Sequence, residues 1–135
     1  MTRIRRKGVA IVESNRGILV VAGRSEIYAL PGGGADRGES RRRAAIRELR
    51  EETGLRTKSS HFLFKYIGRN WHDHRGKEVR NHAKVFLLKT YGRLRSRHEI
   101  RYVAWYNPES RIHVSRGSLR LINRYLEEKR GSLSD

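Results

Sequence analysis

Three carboxylates carry the most pointed chemistry in this chain. Glu48, Glu51 and Glu52 are spaced i, i+3 and i+4. At about 100° per residue in a helix they share one face. Like charges held that close repel, and Arg47 and Arg50, expected to point mainly to another side, offset only part of the repulsion. A divalent cation would relieve the rest. Hard oxygen donors suit magnesium or manganese, which keep water and take phosphate oxygens as remaining ligands. An acidic helix face on its own is most often a solvated surface.

Just ahead of these acids runs Leu30-Pro31-Gly32-Gly33-Gly34. Glycines there allow tight turns and let main chain approach a ligand closely. The run delivers its amides toward a helix start, where anions are favoured.

The elements that must position these groups can be read from the pattern. A helix is predicted from about Ser40 to Thr53, capped by Ser40 or Asp36 and stopped at Gly54. Its apolar stripe is Ala45, Ile46, Leu49 and Thr53. Val9 to Glu13 and Gly17 to Val21 read as a hairpin through Ser14-Asn15-Arg16. Further strands are expected at Ile27 to Leu30, Phe62 to Ile67, Ala83 to Thr90 and Arg101 to Tyr106. Gly68 to Asn81 reads as a polar loop. A second helix spans Ser115 to Arg130, with Leu119, Ile122 and Leu126 on one face. A mixed sheet with one central and one C-terminal helix results.

Residues Gly33 to Leu55 also match a family signature. Gly33, Glu39, Arg47-Glu48-Leu49, Glu51-Glu52 and Gly54-Leu55 occupy all nine defining positions of the Nudix box at the required spacing. The chain therefore resembles the Nudix hydrolases. Two strands before the box, the Leu-Pro-Gly-Gly lead-in and a Glu six residues ahead of a Trp (Glu99 and Trp105) extend the resemblance over most of the chain.

The resemblance implies an α/β/α sandwich around a mixed sheet, and a single hydrolase domain over residues 1–135. It implies Mg2+, or Mn2+, held by Glu48, Glu51, Glu52 and the carbonyl of Gly32. Arg47 would hold Glu48 in place by a salt bridge. Glu39, Gly33 and Gly54 would be structural in the box, Glu39 at the loop–helix junction. The general base would be Glu48 or Glu52, with Glu99 the candidate outside the box, as base or extra metal ligand. The implied reaction is cleavage of a phosphoanhydride in a nucleoside diphosphate linked to another moiety. A nucleotide sugar, a dinucleoside polyphosphate and a nucleoside triphosphate all fit that description. A homodimer is the family's common state.

Substrate choice falls to the polar segment after Gly68. Trp71 can stack on a base, and Arg69, Arg75 and Lys77 can meet phosphate. His72 and His74 lack a third metal ligand nearby and read as ordinary loop histidines. Trp105 reads as core packing. Arg3, Arg5 and Arg6 form either an edge strand running into the site or a loose basic tail.

Bulk properties set the outer bounds. The chain has 135 residues, enough for one packed domain, and no cysteine, which excludes disulfides and thiolate sites. No apolar run approaches a bilayer span, so no membrane partner is expected. The short run after Arg3 to Lys7 is no signal peptide, and a cytoplasmic enzyme is expected. A net charge of +17 raises the local concentration of anions, including nucleic acid. It leaves open an enzyme acting on the 5′ end of RNA. A regulator that kept the fold, binds nucleotide or RNA and lost the chemistry is a third reading, disfavoured by the intact acids.

Overall fold

The computed structural model describes residues 1–95, 100 and 102–134. Its elements, in chain order, are β1 (Arg3–Ile11), β2 (Glu13–Ser14), β3 (Gly17–Ala22), β4 (Gly32–Gly34), α1 (Arg41–Thr53), β5 (Arg56–His72), β6 (Glu78–Tyr91), β7 (Tyr102–Tyr106) and α2 (Arg116–Ser134). One four-stranded sheet has the order β4-β1-β6-β5, with β1 and β6 parallel and the other pairs antiparallel. A smaller antiparallel sheet runs β2-β3-β7.

The apolar runs of β1 and β3 lack a polar face because both faces are covered. Val9, Ile11, Ile18 and Val20 join one core with Phe64, Val85, Leu121, Ile122 and Tyr125, on the α2 side. Ala10, Val12 and Leu19 turn the other way, onto Ala45 and Leu49 of α1, with Phe86 and Leu88. Trp105 packs partly buried against this second core. Two helices thus clamp the sheets from opposite sides, an α/β/α sandwich with a mixed sheet.

Helix α1 starts where Ser40 accepts the Arg43 N–H at 3.1 Å, and ends at Gly54 in the left-handed region, φ 80°. Its buried residues are Ala44, Ala45, Leu49 and Thr53, with Ile46 half-buried against the same core. Helix α2 buries Ser118, Leu121, Ile122 and Tyr125; Leu119 and Leu126 lie at the margin of that face. Ser118 Oγ accepts the buried Leu30 N–H at 2.9 Å, satisfying a donor outside any ladder.

Three expectations change. Ile27 to Leu30 is not a strand: it makes only isolated bridges, Val21 with Ala29 and Tyr28 with Val114, and ends at Pro31, which has no N–H to donate. The three glycines after it do form a strand, β4, opposite Lys7–Val9. Gly68 to Asn81 is not a loop. It belongs to a long hairpin whose turn is confined to Asp73–Lys77, where Asp73 Oδ1 accepts the Arg75 and Lys77 N–H groups at 2.9 and 3.0 Å. Polar residues build this arm by pairing across it: Arg80 Nε donates to Asn70 Oδ1 at 2.6 Å.

Candidate active site

The third turn of α1 lies over β4, so the acids face the glycine strand. Gly33 is needed there: a β-carbon would stand 2.6 Å from the Glu48 carboxyl carbon. Beside it, Glu52 Oε1 accepts the Gly32 N–H at 3.0 Å.

Arg47 folds back across the acidic face instead of pointing away. Its Nε and one terminal nitrogen grip Glu39 at 2.8 and 2.9 Å. That same terminal nitrogen donates to the Gly34 carbonyl at 3.1 Å, and the other terminal nitrogen donates to Glu48 at 3.1 Å and Glu51 at 3.2 Å. Glu39 Oε1 also accepts the Asp36 N–H at 2.9 Å. The Arg47 hydrogen bonds, helped by that N–H, hold the Glu39 carboxyl down at about 2.

Glu52 has no such partner. Burial pushes its carboxyl up to about 7; the Gly32 N–H pulls back, and Glu48 and Glu51 push further up. Lys7 is its nearby cation, and burial disfavours that charge as well. Among the described residues no three acidic or imidazole groups converge to hold a metal, since Glu48 and Glu51 are turned onto Arg47. The donor set nonetheless fits a hard divalent cation: three carboxylates on one helix face, one of them outside the grip of Arg47, beside the Gly32 peptide.

The structure brings cations to the same place. Arg3, Arg5 and Arg6 are ordered on β1, and line a cleft of about 570 Å3 with Gly34, Arg37 and Glu48. Lys7, which no sequence motif singles out, follows them. Burial pushes its ammonium below the ordinary value and Arg5 adds to this, while Glu52 and Glu48 oppose it. Alternation along β1 puts Arg5 and Lys7 on the face of Val9 and Ile11, opposite α1, so it signals burial of Lys7 but not its nearness to the acids.

Trp71, Arg69, Arg75 and Lys77 do not line that cleft. Trp71 is on β5, 39% exposed, in one cross-strand rank with Val79 and Arg3. Arg75 and Lys77 belong to the hairpin turn, together with His74, and Arg69 is exposed on β5. Glu99 lies outside the described residues, as does Arg101.

The family model of the NUDIX domain matches residues 3–123. The chain belongs to the Nudix family. Similar Nudix structures cover nearly all of it. A protein from Chromobacterium violaceum assigned to the nudix hydrolase family is 34% identical, with TM-score 0.79, over 94% of this chain and 79% of that one. The NUDIX domain of NrtR from Shewanella oneidensis, complexed with ADP ribose, is 19% identical (TM-score 0.68; 95% and 88% covered). A bifunctional NMN adenylyltransferase/ADP ribose pyrophosphatase from Francisella tularensis, complexed with AMP and a Mn ion, is 21% identical (TM-score 0.68; 95% and 42% covered). No curated protein matches the chain. This Nudix chain is an enzyme of the pyrophosphohydrolase type, and no helix among its described residues is long and apolar enough to cross a membrane.

Proposed function

We propose that this Nudix enzyme hydrolyses a phosphoanhydride bond in a small nucleoside diphosphate linked to another moiety, using Mg2+ or Mn2+. The observation that carries the reading is the acidic face of α1 set against β4 beside a cleft lined by arginines. Glu48, Glu51, Glu52 and the Gly32 carbonyl would hold the ion, with Glu51 released from Arg47. When bound, such an ion supplies Lewis acidity toward phosphate oxygens and acidifies water.

The chain's own residues do the rest. Arg47 fixes Glu48 and ties the helix to the glycine strand through Glu39 and Gly34. Glu48 or Glu52 takes the proton of the attacking water. Arg3, Arg5, Arg6 and Arg37 neutralise the phosphates as charge builds, the main task in phosphoryl transfer. The ADP ribose and AMP held by structures of the same fold support a nucleotide in this cleft, and the Mn ion supports the cation.

The test is a panel of ADP-ribose, a nucleotide sugar, a dinucleoside polyphosphate and nucleoside triphosphates with Mg2+ or Mn2+, products resolved by mass. Cleavage of one class between its phosphates supports the reading. Tight nucleotide binding with no turnover would make the chain a binding regulator. A second reading, hydrolysis at the 5′ end of RNA, has one specific support: Arg6 lines the cleft and also belongs to a larger group of cations. Its mark would be turnover of triphosphate-ended oligonucleotides well above that of the free nucleotide.

A further inference from the structure

The sheet face that carries α1 continues past the start of that helix, and strand register fixes what stands there. Arg6, His82 and Ile67 form one rank across β1, β6 and β5. Lys84 and Lys65 form the next, and Phe86 and Phe62 the third. The first turn of α1 adds Arg41 and Arg42. Arg42 lies 4.8 Å over the Phe86 ring, and Lys84 Nζ lies 5.7 Å over the Phe62 ring.

Two features of this face act against folding. Lys65 and Lys84 are direct cross-strand partners, and like charges so placed destabilise a sheet. Among the described residues, none of Arg6, Arg41, Arg42, Lys65 and Lys84 pairs with a carboxylate. The three arginines instead donate to the Glu39 carbonyl, the His82 carbonyl and Ser60 Oγ. The crowding reaches Lys84: Arg41 pushes its ammonium below the ordinary value, with Lys65, Arg42 and Arg6 adding to the effect. Apolar surface is exposed among the charges, Phe62 at 39% and Ile67 at 56%.

We propose that this face binds single-stranded nucleic acid, with backbone phosphates on Arg41, Arg42, Lys65 and Lys84 and a base against Phe62. Five uncompensated cations call for an anion of several charges, more than one nucleotide presents. A ring set between cations suits a polymer that alternates phosphates with flat bases. That alternation favours nucleic acid over an acidic peptide or a lipid surface. Arg6 joins the face to the cleft, so a bound strand has a route toward Glu48. The proposal does not rest on the hydrolytic reading, because Phe62, Lys65 and Lys84 do not line the cleft.

The test is fluorescence anisotropy of a labelled oligouridylate over a salt series. The wild type is compared with Lys65→Gln/Lys84→Gln and with Arg116→Gln/Arg120→Gln, which removes two exposed charges from α2. The face variant should bind at least about tenfold more weakly, with a salt slope shallower by about 1.4, at about 0.7 for each lost phosphate contact. The α2 variant should bind like the wild type. Melting of the face variant should hold or rise, since a repulsive pair is gone, and turnover of small anhydrides should be unchanged. Equal weakening in both variants would assign binding to bulk charge and overturn the proposal. So would no binding of the oligonucleotide, or tighter binding to phosphatidylserine vesicles with the same sensitivity to Lys65 and Lys84.

Discussion

Arg47 reaches four acceptor groups with one guanidinium: Glu39, Glu48, Glu51 and the Gly34 carbonyl. A lysine keeps the charge but has no planar fork to span them. Arg47→Lys is therefore expected to lower kcat by about 10–100-fold, the usual cost of losing a group that orients metal ligands. KM should change less. A change confined to KM would move Arg47 from scaffold to substrate binding. Glu52 gives a prediction in pH. Its folded value of about 7 lies above the ordinary 4.5, so between these the folded chain keeps a proton that the unfolded chain has lost. Stability from this group is thus lost as pH rises from about 4.5 to about 7. Glu39, held at about 2, acts oppositely: its contribution grows as pH rises from about 2 to 4.5. Without metal, melting of the wild type relative to Glu52→Gln should fall across the upper window. A constant difference between the two would contradict the account of Glu52.

Whole elements divide by how far local sequence specified them. Helix α1 was legible because its signals are local: a serine cap, a 3.6-residue stripe and a glycine stop. Those signals also placed Glu48, Glu51 and Glu52 together. The β5–β6 arm was not, because Asn70, Arg80 and Glu78 look like loop composition until a partner strand satisfies them. Strand β4 was hidden for a similar reason, since three glycines carry no side-chain pattern. Helix periodicity alone sent Arg47 away from the acids, where the family resemblance put it on Glu48, and neither showed that Lys7 is buried near them. The arm matters for Trp71, which is held in a rank with Arg3 rather than on a mobile loop. If a bound base reaches it, Trp71→Ala should raise KM by about tenfold, within the roughly 1–3 kcal/mol of a stacked base. Turnover at saturation should hold. A lower melting point with unchanged KM would make Trp71 a packing residue.

For the molecule as a whole, the charge of +17 and the carboxylates of α1 act in opposite senses. The surface gathers anions, while the acidic face of α1 suits a cation. The folded chain alone sets the three acids on one helix face beside Gly32, so a divalent ion that draws them together should stabilise it by mass action, by about 2.7 kcal/mol at a hundred times its Kd. Melting should rise with Mg2+ in the wild type and much less in Glu52→Gln. The central claim is that this acidic face, loaded with a divalent ion, cleaves the anhydride. Its most direct test is steady-state hydrolysis of the best substrate from the panel as Mg2+ is titrated, in wild type and Glu52→Gln. Wild-type turnover should rise from background and saturate, while the folded variant stays near background at every Mg2+ concentration. Wild-type turnover in chelator, or a variant that matches the wild type, would contradict the account.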